Sequence, residues 1–159
     1  MAKLTDVQKS VKKGKNSNPL DIEQPIIDNK PEIDFRFLHK CNSCCFNGLA
    51  KYHNKHKEEK VFDQLQSFLF EISECKNIEQ LIGNYTSKNG SKIKNNKFTK
   101  KIRTEFTKNY PNDIGLLKSE DMLHIHLKKN GNGKFVVFGV VKNNRFYVLA
   151  FDPNHDFNK

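Results

Sequence analysis

The sequence has no tryptophan, only two methionines and no apolar run long enough to cross a membrane. Its core volume must therefore come from thirteen phenylalanines together with Leu, Ile and Val. The first residues carry no apolar segment of signal-peptide length, so we expect a cytoplasmic protein without a membrane partner. Thiols stay reduced in that compartment, and no disulfide framework is expected among the four cysteines, Cys41, Cys44, Cys45 and Cys75.

Arginine is scarce, with three residues against 25 lysines, although the formal net charge is +10. The positive charge is concentrated in residues 1–20 and 84–110. Lysine makes point-charge contacts with phosphates rather than bidentate contacts with bases, which favours a polyanionic partner such as RNA, DNA or an acidic protein. A lysine- and asparagine-rich composition set by an AT-rich genome is the alternative explanation.

The length of 159 residues suits one domain with a modest core. Residues 1–30 mix Lys, Asn, Ser and Pro with few aromatic residues, so they predict a flexible basic arm. Residues 31–159 then form a single domain.

Alternating apolar residues predict a strand over 32–38, and helical spacing predicts a helix over 58–73 with two glutamates in its first turn. Asn77 is placed to cap a short helix that Gly83 ends. Residues 84–97 are typical of a basic loop. Residues 98–106 fit both periodicities, and we favour a helix that ends before Pro111.

The last third predicts a β-meander. Strict alternation puts His124 and His126 on one face of a strand, and Asn143-Asn144 suits a two-residue hairpin turn. The face toward the helices is predicted to hold Phe135, Val137, Gly139, Val141, Phe146, Val148 and Ala150. The opposite face is predicted to present Lys142, Arg145, Tyr147 and Phe151. Its two aromatic rings could stack on unpaired bases or pack under a helix or loop. The expected fold class is α+β, with an N-terminal strand and helices packed on a C-terminal antiparallel meander.

The stretch "HKCNSCCFNGLAKYHNKH" over residues 39–56 concentrates cysteine and histidine. Two thiolates and two imidazoles can hold Zn²⁺, although the spacing is shorter than that of a zinc finger. The alternative zinc ligands are Cys41, Cys44, His53 and His56. A thiol nucleophile would need a positioned base, which no spacing here indicates. The simplest interpretation is that Cys44 and Cys45 act as small apolar residues near a junction of strand and helix, and that the histidines are surface residues.

Three histidines lie on or just after the predicted meander, and imidazoles can remove and donate protons near neutral pH. RNA can be cut without a metal when one group takes the 2′-OH proton, another protonates the leaving oxygen and a cation stabilises the phosphorane. The candidate catalytic residues are His124, His126, Arg145, Tyr147 and His155. The alternative is that His124 and His126 lie on a solvated face of the strand and have no catalytic role.

The segments "IDFRFL", "EDMLHIHL" and "KFVVFGVVKNNRFYVLAFDPNHDF" resemble those of small bacterial and phage proteins. The closing hairpin also resembles the end of RelE-type toxins of toxin–antitoxin modules. The resemblance implies a compact α+β domain whose sheet binds RNA, at the ribosome, and whose activity an antitoxin or other protein partner restrains. The acidic end "DPNHD" departs from the basic tails common in such toxins.

We therefore expect a RelE-like toxin or phage-defence effector that is a metal-independent endoribonuclease and needs no cofactor. Its expected RNA-binding residues are Lys92, Lys94, Lys97, Lys100, Lys101 and Arg103. The alternative is a non-catalytic module that binds nucleic acid or inhibits a protein, with zinc at the Cys/His stretch.

Overall fold

The computed structural model describes residues 30–39, 44–85, 97–119, 122–128 and 133–157. The predicted basic arm, apart from Lys30, and the basic segment 86–96 lie outside these residues. The described helices are α1 (Phe46–Lys55), α2 (Val61–Glu74), α3 (Ile78–Tyr85), α4 (Lys97–Asn109) and α5 (Ile114–Ser119). The described strands are β1 (Glu32–Asp34), β2 (Leu123–His126), β3 (Val136–Lys142) and β4 (Arg145–Asp152). The chain has the predicted α+β fold class.

The four strands form one sheet in the order β1-β4-β3-β2. Strands β2, β3 and β4 make the predicted antiparallel meander, whereas β1 pairs in parallel with β4, so that the sheet is mixed. Strand β1 is shorter than predicted because the chain turns directly after it. The Asp34 carboxylate accepts hydrogen bonds from the backbone N–H of Arg36 at 2.9 Å and from its Nε at 2.7 Å.

Helices cover both faces of the sheet, so helix contact is not confined to the predicted face. On one face, α1, α2 and α3 bury their apolar residues against Ile125, Val137, Phe146, Val148 and Phe151. On the other face, Ile102 and Phe106 of α4 and Leu116 and Leu117 of α5 pack with Val136, Phe138, Val140 and Ala150. Burial of this apolar surface from both sides stabilises the central strands.

A β-bulge interrupts the β3–β4 pairing. Phe138 pairs with Ala150 but Gly139 pairs with Val148, so that Leu149 is an extra residue. One extra residue reverses the face of every side chain beyond it. The predicted faces of Ala150 and Phe151 are therefore wrong: Ala150 faces α4 and α5, and Phe151 is buried against α1 to α3.

Two helix boundaries differ from the prediction. Helix α2 begins at Val61 rather than at residue 58, because Lys60 adopts a left-handed conformation (φ 47°) after a separate 3₁₀ turn, Lys57–Glu59. Helix α3 runs past Gly83 to Tyr85, whose ring packs edge-on against Phe68 with 5.0 Å between centroids. The gain from burying this large ring outweighs the poor helix propensity of glycine.

Three local predictions are confirmed. The Asn77 side chain caps α3, because its Oδ1 accepts the N–H of Gln80 at 2.9 Å. Helix α4 ends at Asn109, before Pro111. Asn143 and Asn144 form the hairpin turn with φ values of 51° and 59°.

Cys44 is buried and disulfide-bonded. The expectation of reduced thiols is therefore wrong for this residue. That expectation rested on an inferred reducing compartment, and the sequence alone does not show which sulfur atoms the fold brings within bonding distance. Within the described ranges, every helix is too short or too polar to cross a bilayer.

Candidate functional site: a three-histidine cluster

The three predicted C-terminal histidines converge. His124 and His126 project from the same face of β2, with 5.2 Å between their ring centroids. The ring of His155 lies 4.9 Å from that of His126 and 6.2 Å from that of His124. One nitrogen of each ring can be chosen so that all three lie within 4.8 Å of one another, and each residue is half-buried. We name His124, His126 and His155 the histidine cluster.

The bulge explains how His155 reaches the other two. It puts Asp152, the last residue of β4, opposite Val136, which pairs on its other side with His126. His126, Val136 and Asp152 thus form one row across the sheet, on the same face. The chain then turns back beside this row and carries His155 with it.

The Asp152 carboxylate holds that turn. Its Oδ1 accepts the backbone N–H of Asp156 and its Oδ2 that of Phe157, each at 2.9 Å. His155 has φ 55°, a left-handed conformation that is uncommon for residues other than glycine and persists only when the surroundings enforce it. The two hydrogen bonds tie Asp152, before His155, to Asp156 and Phe157, after it, and provide that constraint.

Asp152 is almost fully buried. Burial raises the pKa of this carboxyl, and the N–H donors of Phe157 and Asp156 only partly offset that effect. Both oxygens are directed at the turn backbone. Asp152 is therefore a positioning residue for His155.

His126 is oriented by a backbone carbonyl. Its Nδ1 lies 2.5 Å from the Gly133 oxygen, and because a carbonyl only accepts, Nδ1 carries the proton. In the neutral ring the lone pair is then on Nε2. Gly133 packs so closely on the chain that a Cβ there would lie 3.0 Å from Cβ of Lys128.

The first turn of α4 lies beside the cluster. Phe98 stacks on Phe157, two residues beyond His155, with 4.0 Å between centroids and 5° between planes. It also contacts Phe138, whose ring is 6.5 Å from that of His124. This turn and the next carry three of the predicted RNA-binding lysines, all exposed: Lys97, Lys100 and Lys101.

The other three predicted RNA-binding residues are not exposed residues of the described structure. Lys92 and Lys94 lie outside the described residues. Arg103 is half-buried, and its Nη1 donates a hydrogen bond to the Leu117 carbonyl at 2.5 Å, which ties α4 to α5.

Arg145 and Tyr147 lie at the opposite end of β4. Seven residue steps separate Arg145 from Asp152, which corresponds to about 23 Å of strand. The guanidinium of Arg145 forms ion pairs with Glu32 and Asp34 and lies over the Tyr147 ring, 5.8 Å from its centroid. The structure thus brings together the histidines of the predicted catalytic set but not these two residues.

Among the described residues, the alternative zinc ligands Cys44, His53 and His56 do not form a group with metal-ligand spacing. Cys44 is disulfide-bonded, and Cys41 lies outside the described residues. The His53 ring packs on Phe62, 5.1 Å between centroids, and His56 packs on Tyr52 at 4.5 Å. In the part of the chain that the structure describes, the group with metal-ligand spacing is the histidine cluster.

Sequence reasoning did not identify the residues that position the cluster, Asp152, Gly133 and the Phe98–Phe157 stack. A signal existed for Asp152, because Asp before a Pro-Asn turn commonly accepts hydrogen bonds from the following backbone. The Gly133 contact is local, seven residues from His126, but strand alternation does not show which carbonyl will meet the ring. The phenylalanine stack is tertiary and has no local signal.

No protein-family model, curated protein or solved structure matches this chain.

Proposed function

We propose that the protein is a metal-independent endoribonuclease whose acid–base groups are His124, His126 and His155. The observation that carries this proposal is the convergence of these three imidazoles in one half-buried cluster. Histidine is the side chain whose ordinary pKa permits both proton removal and proton donation near neutral pH.

RNA suits this set of groups because it supplies its own nucleophile. One imidazole removes the proton of a 2′-OH, whose oxygen forms a bond to phosphorus, while a second imidazole protonates the departing 5′-oxygen as the P–O5′ bond breaks. The products are a 2′,3′-cyclic phosphate and a 5′-hydroxyl. DNA lacks the 2′-OH and is not a substrate on this mechanism.

Lysines of α4 supply the positive charge in this proposal. Lys97, Lys100 and Lys101 are exposed on the helix whose first turn packs beside the cluster. They can hold the RNA backbone and offset the charge that develops on the phosphorane. Arg145 and Tyr147 are left out of the proposed site because their end of β4 is remote from the histidines.

The test is cleavage of a single-stranded RNA oligonucleotide by the full chain in EDTA. We expect His124→Ala and His155→Ala each to lower the rate about 10²–10⁴-fold, the range for loss of a general acid or base. An oligonucleotide with 2′-deoxyribose throughout should remain intact. His53→Ala is the matched control, since this half-buried histidine lies on α1, outside the cluster, and its loss should leave the rate unchanged.

Thermal melting of each variant separates a lost site from a lost fold. A folded His124→Ala/His155→Ala double variant that cleaves at the wild-type rate would refute the assignment of the site. If the wild-type chain cuts no RNA but binds it with an affinity that falls steeply with salt, the non-catalytic nucleic-acid-binding alternative replaces the nuclease.

The proposal has three further parts: a toxin or phage-defence role, cleavage at the ribosome, and restraint by an antitoxin. Their only support is the resemblance of the closing hairpin to RelE-type toxins. Growth arrest on expression of the wild-type chain, absent for the double variant, tests the toxic role. Arrest by both chains would separate toxicity from the cluster.

A further inference from the structure

The histidine cluster has the composition of a metal site as well as of an acid–base site. It offers three nitrogen donors within 4.8 Å of one another, two from one strand and one from a turn across the sheet. Zn²⁺ in a tetrahedral site holds imidazole nitrogens at 2.0–2.1 Å, which corresponds to about 3.3 Å between nitrogens. The rings therefore need to close by about 1.5 Å at most, a change that small rotations of half-buried side chains can supply.

The surroundings of His126 match those of a metal ligand. Metal-binding histidines almost always donate their other ring N–H to a carbonyl or carboxylate, which fixes the tautomer and raises the basicity of the donor nitrogen. The Gly133 carbonyl accepts from Nδ1 of His126 and leaves the Nε2 lone pair for an ion. Such a partner is not needed for a histidine that only decorates a surface.

The donor set selects the class of ion. Three imidazoles suit Zn²⁺, Co²⁺, Ni²⁺ or Cu²⁺, whereas Mg²⁺ and Ca²⁺ require oxygen ligands. The nearest buried carboxylate, Asp152, is committed to the N–H groups of Asp156 and Phe157. Three protein ligands leave one tetrahedral position for water or a phosphate oxygen.

We propose that His124, His126 and His155 form a binding site for a divalent first-row transition ion, and that the ion switches off the ribonuclease. The second clause rests on the proposed function. An ion bound through the imidazole lone pairs occupies the atoms that must accept and donate protons in RNA cleavage. Ion binding and acid–base catalysis therefore exclude each other at this cluster.

The binding test uses Co²⁺ as a spectroscopic probe of the full chain, stripped with EDTA and desalted, at pH 7.5. We expect one Co²⁺ per chain, visible absorption of a tetrahedral ion, and no intense thiolate charge-transfer band, since the ligands are nitrogens. His124→Ala, His126→Ala and His155→Ala should each weaken binding about 100-fold. Gly133→Ala, which disturbs the carbonyl that orients His126, should weaken it about 10-fold, the lower end of the range for outer partners.

The control variants are His53→Ala and His56→Ala, which should bind Co²⁺ like the wild type, and Zn²⁺ but not Mg²⁺ should displace the probe. Binding that survives in a folded variant lacking all three cluster histidines, or a thiolate band, would overturn the site.

The regulatory clause is tested by adding Zn²⁺ to the RNA cleavage assay. Saturating Zn²⁺ should lower the rate at least 100-fold and EDTA should restore it, whereas an unchanged or raised rate would overturn the switch. A chain that binds Co²⁺ at the cluster but never cuts RNA keeps the metal site and refutes the nuclease. A chain that cuts RNA in EDTA but binds no ion refutes only the metal site.

Discussion

Replacement of Gly139 by alanine tests the bulge on which the histidine cluster depends. A Cβ at this position would lie 2.6 Å from Cζ of Phe146 and closer still to the backbone oxygen of Tyr147. Carbon atoms in good contact are about 3.5–4.0 Å apart, so a central strand must shift by about 1 Å. Such overpacking costs about 1–3 kcal/mol of the free energy of unfolding.

Part of that loss is recovered, because alanine restricts the unfolded chain and contributes about 0.4–1 kcal/mol. The net loss is about 0.6–2 kcal/mol, so we expect the variant to melt about 1–8 °C below the wild type, at about 2–4 °C per kcal/mol for a chain of this size. The assay is thermal denaturation followed by circular dichroism. Because the bulge sets the face of Asp152, the same variant should also bind Co²⁺ more weakly.

Gly83→Ala is the matched control. Gly83 is inside α3, and a Cβ there would meet no atom within 4 Å. The change should raise stability by about 0.5–1 kcal/mol through helix propensity alone. A Gly139→Ala protein that melts with or above the wild type would show that the strands do not approach each other as described, and the argument for the position of His155 would fail with it.

Two predictions concern pH. Burial raises the pKa of Asp152 above 3.8, so the stability that Asp152 contributes should be lost as the pH rises from 3.8 through that raised pKa. In urea denaturation, the free energy of unfolding of the wild type should therefore fall over this range relative to that of Asp152→Asn. An identical pH profile in both proteins would contradict the burial of this carboxyl. Burial also acts to raise the pKa of Asp34, but the hydrogen bonds and charge of Arg36 outweigh it and hold the pKa below 3.8. The stability that Asp34 contributes is therefore present above pH 3.8 and lost as the pH falls through its pKa, and in Arg36→Ala an NMR titration of the Asp34 carboxyl should move to higher pH.

Much of the fold follows from local pattern. Period-two alternation locates β2, and the asparagine pair locates the hairpin, because both depend on neighbouring residues. The parallel pairing of Glu32 with Arg145 joins segments more than a hundred residues apart and has no local signal. The second helix layer was missed for a related reason, since α5 is six residues long and its burial depends on the sheet beneath it.

The sequence predicts most of the residues of the candidate site but not how they are arranged in space. His124 and His126 share a face because of strand periodicity alone. The arrival of His155 depends on one extra residue, Leu149, and on the hydrogen bonds of Asp152, which alternation cannot reveal. Arg145 and Tyr147 were included among the candidate residues because they are close to the histidines in the sequence. In the structure they lie at the far end of β4 from the histidine cluster.

Strand β2 lies at one edge of the described sheet, with β1 at the other, and it pairs with β3 alone. A strand at a sheet edge is held by hydrogen bonds to one neighbouring strand only. We therefore expect β2 to separate from the sheet before the rest of the protein melts. Two members of the cluster would leave with it. Co²⁺ binding and the proposed RNA cleavage are therefore expected to be lost under mild heating while the helical circular-dichroism signal persists, and amide exchange should be faster in β2 than in β4.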